Sequence, residues 1–227
     1  MLERNFEMED NSTKTILVLI FIVIILGGIL AFKVLSENSN NDKKTNTSES
    51  SYSKADIIEL INSENNKSNY AVEYTLNNDS TYKIKYLNGK MKWEAFSSET
   101  NVLCYLDFEK NTNTIISEER KTAVIQEISI VKKNYIPEEI LSIINKPDCI
   151  IEKEETVLNR NAIVLSYNHI WKIWIDAETG LLLQTIMNEN DLEYKTVYYL
   201  SLNTVTINDV TLPDLSQYNV ADTRSKQ

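Results

Sequence analysis

Hydrophobic and polar positions follow four successive rhythms along the chain. The first is an unbroken apolar run, "TILVLIFIVIILGGILAF" at residues 15–32, which carries no charge. As a helix it would span roughly 27 Å, close to the ~30 Å hydrocarbon core of a bilayer. A helix of a soluble core would show polar residues at helical spacing, and this run shows none. It is longer than the core of a secretory signal, and "ILAF" is a poor small-x-small site, although Val34 and Ser36 keep such a spacing available. The reading is a transmembrane anchor over residues 15–33 after a short N-terminus, residues 1–14.

The second rhythm is entirely polar. "ENSNNDKKTNTSESSYS", residues 37–53, has no aliphatic side chain, so residues 34–53 read as a flexible linker. Seventeen such residues reach about 20–25 Å. No cysteine stands at the end of the apolar run or in residues 33–53, which removes lipid attachment at a lipobox.

The third rhythm is helical and brief. "KADIIELINSE" places Ile57, Ile58, Leu60 and Ile61 on one side of a helix, with Ser53 as N-cap and Asp56 three residues on. The fourth has a period of two. Tyr70, Val72, Tyr74 and Leu76 share a face, as do Tyr82, Ile84 and Tyr86, and then Met91, Trp93 and Ala95. Asn77-Asn78-Asp79 and Asn88-Gly89 mark hairpin turns between them. "NVLCYLDF" and "TIIS" continue an antiparallel meander, apolar on one face and charged on the other. Residues 122–145, "TAVIQEISIVKKNYIPEEILSIIN", read as one or two short helices, with Pro137 at a favoured first-turn position. Strands resume at "CIIEKEETVL", "NAIVLSYN", "IWKIWID", "LLLQTIM" and "LEYKTVYYLSL", and residues 219–227 read as a disordered tail.

Composition sharpens this picture. The chain has 227 residues, of which 42% are hydrophobic, with only 4 Gly and 3 Pro. That suits one ordinary domain with appendages and excludes collagenous or wholly disordered protein. A formal charge of −10 argues against nucleic acid as a partner, because phosphate contacts need clustered Lys and Arg.

Candidate chemistry gathers around "HIWKIWIDAETG". The only histidine, His169, has no second histidine for a metal site and stands in a turn. Asp176 and Glu178 flank a loop ending in Gly180, which suits a bulged hairpin with its glycine in the left-handed region. Asp176 then bonds the turn backbone and Glu178 occupies an exposed tip. The hairpin reading stands over a carboxylate dyad. Cys104 and Cys149 lack metal spacing; a buried free thiol is favoured over a disulfide. No phosphate loop, nucleophile elbow or zinc motif occurs. The expectation is no enzyme, no cofactor and no metal. Trp93, Tyr105, Trp171 and Trp174 are either cross-strand packing or the lining of a concave face that accepts a lipid chain or a partner segment.

One helix, a meander, a helical insertion and further strands resemble the LolA/LolB/RseB-type half-barrel over residues 54–218. "CYLDFEKNTNTIIS" is similar to that superfamily's aromatic-Asp strand-turn-strand, "KIWIDAETGLLLQTI" to its W-x-D-x-x-T-G hairpin, and "EYKTVYYLSLNTVTINDVTLPDL" to its closing strands and proline. The resemblance implies an α+β domain in which a strongly curved antiparallel sheet wraps around covering helices. Size, anchoring and composition most resemble the clostridial spore-germination proteins of the GerS type. That implies a non-enzymatic partner of a cortex-modifying N-acetylmuramoyl-L-alanine amidase; a lipid or lipoprotein carrier and an RseB-like stress regulator are the alternatives. GerS-type proteins are lipoproteins, whereas this chain offers an apolar span. Arg4 and Lys14 before the span balance Lys33, Lys43 and Lys44 after it. The placement of the domain outside the cytoplasm therefore rests on the resemblance and not on charge.

Overall fold

The computed structural model describes residues 51–64, 67–76, 80–97, 101–128 and 135–224. The expected N-terminus, the span and nearly all of the linker lie outside these residues. Among the described residues no helix is long and apolar enough to cross a membrane.

The chain opens with helix α1 (Lys54–Asn62), capped as its sequence predicts. Ser53 accepts a bond from the Asp56 backbone N–H, and the Asp56 carboxylate accepts one from the Ser53 N–H. This reciprocal pair satisfies two of the N–H groups left open at a helix start. Ile57 and Ile61 are its buried face. A meander of six strands follows: β1 (Asn69–Leu76), β2 (Ser80–Leu87), β3 (Lys90–Phe96), β4 (Asn101–Asp107), β5 (Thr112–Ser117) and β6 (Thr122–Glu127). After helix α2 (Glu138–Asn145) come β7 (Ile150–Val157), β8 (Arg160–Tyr167), β9 (Trp171–Asp176), β10 (Leu182–Glu189), β11 (Leu192–Val197) and β12 (Tyr199–Leu202). The short helix α3 (Ile207–Val210) and strand β13 (Asn219–Asp222) complete the order.

The strands form two sheets. One runs β12-β1-β2-β3-β4-β5-β6-β13 and the other β11-β10-β9-β8-β7. Neither closes into a barrel. They meet at Tyr198, the single residue between β11 and β12. Its N–H bonds Leu183 of β10, while its neighbour Tyr199 pairs with Glu73 of β1. Several hairpins turn on asparagine. Asn88-Gly89, Leu158-Asn159 and Asn190-Asp191 are two-residue loops with both φ values positive. That backbone follows the twist of the strands and favours Asn and Gly.

Three expectations are corrected. The described residues are mostly β, with three helices, and their strands form two sheets where the resemblance implied one strongly curved sheet wrapped around covering helices. Thr122–Glu127 is strand β6 and not helix, because it pairs residue by residue with β5 after the turn at residues 118–121. Residues 219–222 are strand β13, parallel to β6, where a disordered tail was expected. The chain reaches β13 from β12, at the opposite edge of the eight-stranded sheet. Residues 203–218 therefore cross one face of that sheet. Helix α3 packs there on β2 and β3, and Lys85 holds Asp209 at 2.5 Å.

Candidate functional site

Eight aromatic rings form an unbroken series along the inner side of the eight-stranded sheet. In order they are Phe108, Tyr86, Tyr70, Tyr135, Tyr198, Tyr74, Tyr82 and Trp93, with successive centroids 4.7–6.3 Å apart. These are the separations at which aromatic quadrupoles attract in offset or tilted pairs. The period-two pattern of β1, β2 and β3 supplies five of the rings. Tyr135 and Tyr198 join them from the approach to α2 and from the corner between the sheets. The Tyr135 hydroxyl donates to the Leu182 carbonyl at 2.8 Å, which ties the row to the second sheet.

The row is not uniformly sealed. Tyr70, Tyr86 and Tyr198 are buried, whereas Phe108, Tyr135, Tyr74, Tyr82 and Trp93 are half-buried, the last three as a continuous stretch at one end. Burial holds the phenols of Tyr70, Tyr74 and Tyr135 well above the usual range and pushes Tyr198 up to about 12. They act as neutral rings and not as acids or bases near neutrality. Among the described residues the buried Trp93 Nε1 has no hydrogen-bond partner, nor has the Asn113 Oδ1 on the same sheet face. Cys104, directly across from Trp93, is a buried free thiol pushed up to about 12 by desolvation. Cys149 is also free and buried, in line with the sequence reading.

The four aromatic residues expected to share a concave face do not share one. Tyr105 pairs with Lys92 and Thr114 and falls on the opposite face from Trp93, the face crossed by the C-terminal segment. The Lys92 ammonium sits 5.7 Å from its ring centre. Trp171 and Trp174 are three residues apart on β9, so they point to opposite faces as well. Trp174 is 4% exposed, donates Nε1–H to Glu155 at 2.5 Å and lies under the Lys172 ammonium at 5.4 Å. It packs with Ala162, Val164 and Leu183 as core. Of the four, Trp93 alone belongs to the aromatic row.

The β9–β10 loop is a hairpin, as its sequence suggests, but a heavily engaged one. Asp176 is 1% exposed. Its carboxylate accepts the Thr179 backbone N–H at 3.0 Å, the Thr179 hydroxyl at 2.5 Å, and two guanidinium bonds from Arg160 at 2.7 and 3.0 Å. Arg160 also reaches Glu178 at 3.0 Å, and the bond to Asp176 raises the guanidinium above its ordinary value. A buried carboxylate with four donors is structural, and removing it would break the Thr179 turn bonds and both Arg160 bonds at once. His169 stands exposed in the β8–β9 turn with φ of 57°. Gly180, at φ of 71°, packs against the end of α1; a Cβ there would lie 2.6 Å from the Leu60 carbonyl oxygen. Beside it is a residue the sequence reading missed. Lys67 is 5% exposed and donates to the Leu60 and Ile61 carbonyls at 2.8 and 2.6 Å, completing the C-terminus of α1. Burial pulls its ammonium down to about 8, against an opposing pull from Glu64.

No cluster of potential metal ligands occurs among the described residues. A groove of about 240 Å³ separates α1 from α2, lined by Ile58, Ile61, Leu141 and Ile144 among others. It is smaller than the roughly 300–1,000 Å³ usual for small-molecule sites.

No family profile and no curated protein matches the chain. Solved structures do. An uncharacterized conserved protein from Thermus thermophilus aligns at 9% identity over 74% of this chain and 98% of its own, with a TM-score of 0.49. The Pseudomonas aeruginosa MucA/MucB complex aligns at 15% identity over 73% of this chain and 62% of that one, with a TM-score of 0.45. LprF from Mycobacterium bovis aligns at 13% identity over 69% and 98%, with a TM-score of 0.38. With TM-scores below 0.5, these likenesses assign neither a family nor a role.

Proposed function

We propose that this chain is a non-enzymatic binding module, held at a membrane by residues 15–33 with its domain outside the cytoplasm, and that it binds a segment of another envelope protein. The observation that carries the reading is the open end of the aromatic row. Tyr74, Tyr82 and Trp93 are half-buried, and the Trp93 Nε1, itself buried, has no partner among the described residues. Aromatic side chains with a polar tip suit recognition, since they offer large area at small entropic cost. The polar groups weighed for catalysis have other work: Asp176 holds the β9–β10 loop together with Thr179 and Arg160, Glu178 bonds Arg160, and His169 sits in a turn.

A regulator of the RseB type, acting through a bound protein, is the broader form of this reading. A GerS-like accessory role toward a cortex amidase is its narrower form. MucB has been solved in complex with MucA, which is a property of MucB. The test is capture of the full-length chain from its own cell membranes, beside Trp93→Ala and Tyr82→Ala variants of verified fold. One stoichiometric envelope protein, lost from both variants, is the expected result; an amidase would select the narrower form. Co-purified acyl lipid in place of protein would overturn the proposal and select a carrier. Undiminished capture by both variants would overturn the aromatic site.

A further inference from the structure

The edges of the five-stranded sheet are treated very differently. Edge strand β7 carries a register break between Ile151 and Lys153 and a dense run of charge, and Ser51 bonds its Glu154 at 2.7 Å. Those are the usual protections against a second strand. Edge strand β11 has no register break and only two charges, Glu193 and Lys195. Leu192 and Tyr194 are 57% and 41% exposed, and Tyr194 ends a cross-strand row with Met187, Trp171 and Tyr167.

The direction of the free backbone groups is set by the ladder. Asn188 N–H bonds Ile170 on the β9 side, so the neighbouring residues Met187 and Glu189 turn to β11, where they face Tyr194 and Leu192. The N–H and C=O groups of Glu193 and Lys195 therefore point away from β10. The Glu193 and Lys195 side chains, both exposed, make no ion pair among the described residues.

We propose that β11 pairs antiparallel with β11 of a second copy of this chain about a twofold axis through Tyr194. In that register Glu193 lies opposite Lys195 of the second copy, and Lys195 opposite its Glu193. The outward backbone groups of both residues are then satisfied, and Tyr194 meets its own counterpart in the close, non-hydrogen-bonded position. Centring on Glu193 or Lys195 instead would set like charges face to face, which disfavours both. The contact is isologous and closes on itself. It also joins the Tyr167–Trp171–Met187–Tyr194 row of one copy to that of the other, covering the exposed apolar residues.

Charge reversal tests this register. The full-length protein in detergent micelles should sediment as a concentration-dependent dimer. Glu193→Lys should weaken the dimer about tenfold or more, since it replaces two opposite-charge pairs by two like-charge pairs. The double variant Glu193→Lys/Lys195→Glu restores both pairs and should recover most of the affinity. Both substitutions are at exposed positions, and thermal melts of each variant check the fold. Independently, Tyr194→Cys should form a disulfide-linked dimer in membranes on mild oxidation, and Lys195→Cys should not. A monomer at every concentration, a dimer indifferent to Glu193→Lys, a failure of the double variant to recover, or equal cross-linking at positions 194 and 195 would each overturn the proposal.

Discussion

In the five-stranded sheet, Ile163, Leu165, Ile173, Ile175, Leu182 and Leu183 are all fully buried. The inner face of the eight-stranded sheet mixes buried Val72, Ile84, Met91 and Leu106 with a row of tyrosines, and it runs out into half-buried Tyr74, Tyr82 and Trp93. Aliphatic side chains leave no polar atom to satisfy, so they can be sealed without exception. Each tyrosine or tryptophan carries a polar atom that needs a partner or water. The first region is therefore a scaffold and the second a surface with capacity for a ligand. The β9–β10 loop fixes the scaffold, through Asp176, Arg160 and the close approach of Gly180 to α1.

The strongest way to break that contrast is at Gly180. Gly180→Ala meets the Leu60 carbonyl oxygen at 2.6 Å and the Ile61 nitrogen at 2.9 Å, in a backbone conformation that side chains disfavour. Strain and displaced packing together should cost on the order of 4 kcal/mol in urea denaturation. A loss below about 1 kcal/mol would mean that α1 yields readily, and the scaffold reading would fail.

Alkaline pH separates the two regions next. Tyr198 and Cys104 are each raised to about 12 by burial, whereas in the unfolded chain they titrate near 10 and 8.5. The folded state then holds protons that the unfolded state has released. This stability is intact below about pH 8.5 and falls as pH rises toward 12. The loss is roughly 1.4 kcal/mol for each pH unit between a group's unfolded and folded titrations. Lys67 works in the opposite sense. Its folded value of about 8 lies below its unfolded one, so its desolvation penalty is relieved as pH rises from about 8 to about 10.4. Urea midpoints between pH 8 and 11 should decline, and Lys67→Met should steepen the decline. Tyrosine absorbance titrating near pH 10 without unfolding would show the row to be solvated.

The smallest effect sharpens the comparison between two tryptophans. Trp93 Nε1 has no partner among the described residues, so Trp93→Phe sacrifices no hydrogen bond and should cost under about 1.5 kcal/mol. Trp174→Phe removes the donor to Glu155 and should cost more, about 2–4 kcal/mol with the lost packing included. Equal losses in urea denaturation would erase the distinction between open and sealed aromatic sites.

Much of this was legible in local pattern. The Ser53 cap, the Asn88-Gly89 turn, the alternation of β1 to β3 and the left-handed Gly180 each depend on residues a few positions apart. Their geometry follows from backbone sterics and period alone. The same parity rule places Trp171 and Trp174 on opposite faces, and Tyr105 opposite Cys104, signals that were present in the spacing of the residues. Strand β6 was harder, since the short apolar run at residues 123–125 between polar residues fits a strand or a helix equally until β5 lies beside it. Other features depend on partners far along the chain. Lys67 reads as a loop residue until the end of α1 and the Gly180 turn close around it. Tyr135 and Tyr198 join the rings of β1 only when two sheets meet at one residue, and residues 219–222 become a strand only because β6 presents a free edge. Periodicity acts between near neighbours and is written in the sequence. Burial and edge pairing depend on which distant surfaces displace water from one another, and that is settled by packing.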